Sequence, residues 1–264
     1  MNIFFRELRA NTKSLLVWSI IIALFSVVGF SKFQAYYGNP EMLEVLDAMP
    51  PAMLAAFNLN AFNLTTITGF LGVMAAYNAL MLSISAVLWG SGVIAREERD
   101  KTVEYSLTLP VTRERVVIAK TAAMVVCSAI LLLVTWGSMA LMSRSYAPDD
   151  AYYRYLALNM ISYFIMQMIF LSVGVLMGSA MKRHKLSGST ALWVLLGTYF
   201  LSVVIGLNSH LDKLKYLTPF KYFDPAQMLR DGRLETGYIF LSAGIFIICL
   251  AGALVAYRRR DLYI

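Results

Sequence analysis

The residues best suited to recognition lie in one run, 96–120, REERDKTVEYSLTLPVTRERVVIAK, a long polar stretch between two apolar segments. Arg96 faces Asp100 and Glu97 faces Lys101 at i,i+4 spacing, while Val103 and Leu107 share another face with Tyr105 and Leu109 nearby. A short helix over 96–109 would therefore have one charged side and one apolar side. Pro110 cannot continue it, and Thr112 can cap a second helix whose first turn holds Glu114. The result is a helical elbow at a membrane surface. Its chemistry is contact, either with lipid headgroups or with a protein partner.

The rest of the chain excludes several other chemistries. No G-x-x-x-x-G-K-[ST] occurs, so ATP is not bound by the phosphate-loop route and the chain is read as a non-enzyme. His184 and His210 fall on opposite sides of the membrane and cannot share a metal, and the 15 methionines are scattered as core filler rather than clustered as thioether ligands; no metal site is expected. Cys127 and Cys249 sit inside apolar segments, which argues for packing and against a disulfide framework. No Asp, Glu, Lys, Arg or His stands well inside an apolar segment, as ion-coupled carriers and intramembrane proteases require. Polar candidates remain at Asn78, Ser83, Asn159 and Gln167, which either hold helices together or contact a substrate along a path. Gly174 and Gly178 form a GxxxG step suited to close helix approach.

These residues need a membrane frame to position them. Hydrophobic residues make up 59% of the chain and charged ones 15%, with a mean hydropathy of +0.63. Soluble domains are about 45–50% apolar, so the chain is read as a polytopic membrane protein. The fold expected is all-α, with six transmembrane helices near 15–30, 65–95, 116–142, 155–181, 189–207 and 238–256 in a single domain over 1–264. An interfacial amphipathic helix precedes the first span, with Phe4, Phe5 and Leu8 on its apolar side and Arg6, Arg9 and Lys13 on the other. Two short helices are expected around Pro50 and Pro51. The loop over 208–237, punctuated by Pro219, Pro225 and Gly232, should fold as short helical turns.

Charge sets the orientation. The segments on the side of the elbow and both termini carry 15 Lys and Arg, against 8 on the other side, so the termini are expected in the cytoplasm. The net charge of +7 comes without a basic patch interleaved with aromatics, so membrane topology explains it better than nucleic acid.

The elbow also carries a resemblance. Thr102-Val103-Glu104-Tyr105, then 107–113 as LTLPVTR, Arg115-Val116-Val117 and Lys120, look like the cytoplasmic loop that follows the second span of ABC-2-type transporter permeases. Three further stretches resemble that family in the same order: the segment around Pro50-Pro51, the TPFKYFDPA run near 218–226, and the RRRDL ending. The resemblance implies a permease subunit of an ATP-driven transporter in the cell membrane, an exporter in a bacterial plasma membrane. It implies an ABC ATPase subunit that supplies ATP and Mg chemistry, and a second permease chain, identical or a paralogue. Glu97, Arg99, Thr102, Glu104, Tyr105, Leu107, Leu109, Pro110 and Arg113 are then the expected ATPase contacts. The alternative is a non-transporting scaffold or sensor that binds a cytoplasmic partner through the same elbow.

Overall fold

The computed structural model describes residues 3–39, 41, 48, 50, 53–54, 62–99, 112–181, 184–207 and 209–259. Among these there is helix and no strand, and six helices are long and apolar enough to cross a membrane. They are α1 (Ile3–Tyr36), α2 (Ile67–Arg99), α3 (Arg113–Ser143), α4 (Asp150–Ala180), α5 (His184–Leu207) and, after the seven-residue α6 (Pro225–Asp231), α7 (Thr236–Arg259). The pair of short helices expected around Pro50 and Pro51 falls largely outside the described residues.

The first helix differs from the sequence expectation. Instead of an interfacial helix followed by a separate span, residues 3–36 form one rod of 34 residues. Neither Gly nor Pro interrupts the join. The polar side chains there also bond inside the helix: Asn11 Nδ2 donates to the Glu7 carbonyl at 2.9 Å and Thr12 Oγ1 to the Leu8 carbonyl at 3.2 Å. At 1.5 Å per residue the rod is about 50 Å long, well beyond a hydrocarbon core of about 30 Å, so one end projects from it. Phe4 and Leu8 pack against the protein core, whereas Phe5 is exposed.

Helices α2 and α4 make the most extensive contact and form the centre with α3; α1 lies mainly on α3, α7 on α4, and α5 on α2. The α2–α4 contact follows from the glycines. A Cβ added at Gly174 would come under 3.0 Å from the Val87 carbonyl oxygen and the Ser91 amide, and one at Gly90 would meet the Leu171 carbonyl equally closely. Gly178 stands against Ser91 and Ile94. The GxxxG step thus brings two backbones together where side chains would hold them apart.

Local signals set the remaining boundaries. Thr112 caps α3 as expected, its side chain accepting from the Arg115 amide. Asp149 caps α4 by accepting from the Tyr152 amide at 2.9 Å, which starts that helix at 150, one turn before the predicted 155. After α5 the chain makes two 3-10 segments, Ser209–Leu217 and Pro219–Lys221, and then α6, with Gly232 in the left-handed region at φ 63° closing it. These are the short turns expected from the Pro and Gly punctuation. They are held by Tyr155 donating to the Pro225 carbonyl, Thr218 donating to the Thr198 carbonyl, and Tyr222 stacked on Tyr238 at 5.0 Å. Asp224 caps α6 through the Ala226 and Gln227 amides. Asp224→Ala is expected to cost about 1 kcal/mol, read as a lower unfolding midpoint in detergent with the helix content retained.

Candidate functional site

The described structure reaches the elbow at both roots. Residues 100–111 lie outside the described residues, and with them Thr102, Glu104, Tyr105, Leu107, Leu109 and Pro110. Glu97 and Arg99 fall in the last turns of α2, with side chains outside the description. Arg113 opens α3, where its Nη1 donates to the Arg258 carbonyl at 3.4 Å, and Glu114 pairs with Arg258 at 3.2 Å. The end of α7 is therefore tied to the start of α3.

On the other side of the roots lies a group that the sequence reading did not single out. Lys120, which the sequence places at the end of a surface elbow, stands two turns inside α3 and is 1% exposed. Its Nζ donates to the Val93 carbonyl of α2 at 3.0 Å and lies 3.8 Å from Glu7 Oε1 of α1. Glu7 is itself buried and also pairs with its neighbour Arg6 at 3.2 Å. One turn along α1, Asn11 is buried and its Oδ1 accepts from Arg96 Nη2 of α2 at 2.9 Å. Another turn on, Ser14 Oγ accepts from Trp89 Nε1 at 2.9 Å.

Residues 7, 11 and 14 fall at i, i+4 and i+7, so they form one stripe of α1. The sequence does contain this signal, as a lone Glu and an Asn at helical spacing within an otherwise basic segment. Their partners on other helices, however, come from residues 89–120, and nothing local in the chain announces that pairing. The stripe turns inward because the buried lysine and the arginine at the foot of α2 need acceptors where water is excluded.

The polar candidates Asn78, Ser83, Asn159 and Gln167 are all buried on the two central helices. Asn78 and Asn159 each donate back to their own helix, to the Met74 and Tyr155 carbonyls. Ser83 and Gln167 each stand two turns from the glycine contact, Ser83 from Gly90 and Gln167 from Gly174, and both amide atoms of Gln167 lack a hydrogen-bond partner among the described residues. In this conformation they are interior to the subunit rather than exposed along its surface. At the opposite end, a cleft of about 360 Å³ beside α6 is lined by Asp212, Lys215, Lys221, Asp224, Gln227 and Glu235, among others.

Six helices can cross a membrane, a polar stretch of sequence separates the second from the third, and the residues on either side of that stretch are bonded to neighbouring helices. The model of the family described as ABC-2 family transporter protein matches residues 1–262. The chain belongs to this family. No curated protein matches it. As an ABC-2 family transporter protein, the chain is a multi-pass membrane protein and the permease component of an ABC transporter, which works with an ABC ATPase. Members of this family are membrane components of such transporters and typically non-catalytic.

Proposed function

We propose that this permease is the membrane half of an exporter whose separate ATPase subunit docks on residues 96–120, with both chain termini in the cytoplasm and a second permease chain, identical or a paralogue, completing the path. The carrying observation is the bracing of the elbow's roots. Arg96 is bonded to α1, and Arg113 and Glu114 are bonded to the end of α7. A push on residues 100–111 therefore reaches the central helix α2 and its neighbour α3 rather than being absorbed in a slack loop. The apolar stripe of Val103 and Leu107 offers the partner an anchor, framed by Glu97, Arg99, Thr102, Glu104, Tyr105, Leu109, Pro110 and Arg113. ATP and Mg would sit in that partner. The basic excess on the elbow side supports the orientation. Asn78, Ser83, Asn159 and Gln167 would reach cargo only in a state that parts α2 from α4.

Leu107→Asp tests this reading. An interface anchor of this size is worth about 2 kcal/mol or more when fully desolvated, so retention of the ATPase in mild detergent should fall at least tenfold while membrane insertion of the variant is unchanged. Undiminished ATPase binding and ATP-driven transport would overturn the docking assignment. A copurifying partner that lacks a phosphate loop would instead favour the scaffold reading.

A further inference from the structure

We propose that Glu7, Asn11, Arg96 and Lys120 form a polar latch that makes the elbow end of α1 move with both roots of the elbow, so that α1 serves as a lever for the ATPase stroke. The inference rests on the reading that an ATPase docks on the elbow. Lys120 is the centre of the latch, because one ammonium reaches the Val93 carbonyl of α2 and the Glu7 carboxylate of α1 from its place on α3. Arg96, at the foot of α2, closes the other side by donating to Asn11 of α1. Three helices are joined within two turns of the stretch that would receive the push.

The packing of α1 makes this group decisive for how the helix moves. Its span is among the least buried of the six, and Leu16, Val17, Ile20 and Leu24 along its middle are exposed. It rests on α3 and is pinned near its far end, where Phe30 and Phe33 meet Phe70 and Tyr146. A rod held at one end by aromatic packing and at the other by the latch tilts about the first when the second is displaced. Apolar contacts along α3 would allow sliding. A buried ion pair to α3 and a hydrogen bond from Arg96 of α2 do not, since breaking them strands charged and polar groups away from water. A contiguous set of this kind carries displacement only if both ends respond together, and that is measurable.

The test uses the full permease in complex with its ATPase in nanodiscs, with hydrogen exchange of backbone amides followed by mass spectrometry, with and without Mg, ATP and vanadate. In the unaltered complex, exchange in residues 3–14 and 100–112 should change together on trapping. In Lys120→Met, the change in 100–112 should persist and the change in 3–14 should shrink to what the Arg96–Asn11 bond alone transmits; ATP turnover should fall about tenfold at unchanged KM for ATP. Lys120→Arg, which keeps a donor and the charge, should restore most of both. Asn11→Ala removes the Arg96 arm without stranding the lysine, and it should weaken the 3–14 response if the lysine variant does not fold. The latch is overturned if residues 3–14 follow the nucleotide in Lys120→Met or Asn11→Ala as they do in the unaltered chain. It is equally overturned if they stay silent in the unaltered complex while 100–112 responds. If no ATPase is retained, or 100–112 does not respond at all, the docking reading fails and the latch falls with it.

Discussion

Replacing Gly174 by alanine is expected to destabilise the permease by about 1–3 kcal/mol, and replacing it by leucine to leave no folded chain. The contact explains the size of the effect. A Cβ at Gly174 would lie under 3.0 Å from the Val87 carbonyl oxygen and the Ser91 amide, both backbone atoms of α2, so no side-chain rotation relieves the clash. Gly90 repeats the constraint from the other helix against the Leu171 carbonyl. Parting the helices to admit a methyl group would loosen the most extensive contact in the subunit and the buried residues around it, among them Leu71, Leu82, Leu171 and Val175. Controls lie in the same protein. Gly137 and Gly197 have nothing within 4 Å of an added Cβ, so alanine there should be neutral or stabilising by up to about 1 kcal/mol through helix propensity. Unfolding midpoints of the purified variants in one detergent check the ranking. A Gly174→Ala chain as stable as Gly137→Ala would show that α2 and α4 do not meet in this way.

The contrast between glycines shows what a sequence can disclose. The GxxxG step is visible as spacing, and the partner helix could be sought among apolar runs with small residues. Gly90 lies in such a run, yet the register that seats it against Leu171 is a property of the packed pair. Caps and punctuation were legible in the same local way, as at Thr112, Pro225 and Gly232, because each acts on its own neighbours. Asp149 was the exception. It sits in a run, Pro148-Asp149-Asp150, that reads as loop, while its side chain starts a helix. The continuity of α1 was obscured by a change of pattern at residue 15 from amphipathic to uniformly apolar, which alters the environment of a helix without ending it. Lys120 was harder still. A lysine beside an apolar segment ordinarily marks the interface, and only the fold shows that Glu7 and the Val93 carbonyl receive it inside. Leu107 and its neighbours in 100–111 stand on sequence alone, and their placement is part of the proposal.

Glu7→Ala should cost about 3–5 kcal/mol, whereas the double variant Glu7→Leu with Lys120→Met should return to within about 1 kcal/mol of the parent chain or exceed it. The asymmetry follows from burial. The two side chains are 8% and 1% exposed and 3.8 Å apart, beyond direct hydrogen-bond range, so their attraction offsets a large desolvation cost rather than adding a strong bond. Removing the carboxylate alone takes a compensating charge away from an ammonium held out of water, while its bond to the Val93 carbonyl stays. Removing both charges and filling the space with apolar side chains abolishes the cost altogether. Unfolding in detergent of the parent, Glu7→Leu, Lys120→Met and the double variant gives the coupling energy directly. The double variant also separates stability from transmission. It should fold as well as the parent and retain the ATPase, yet lose most of the nucleotide response of residues 3–14, because only the Arg96–Asn11 bond to α2 then holds α1 at this end. Recovery of that response along with stability would mean that apolar packing alone suffices to move the helix, and the buried charges would then be a cost without a mechanical return.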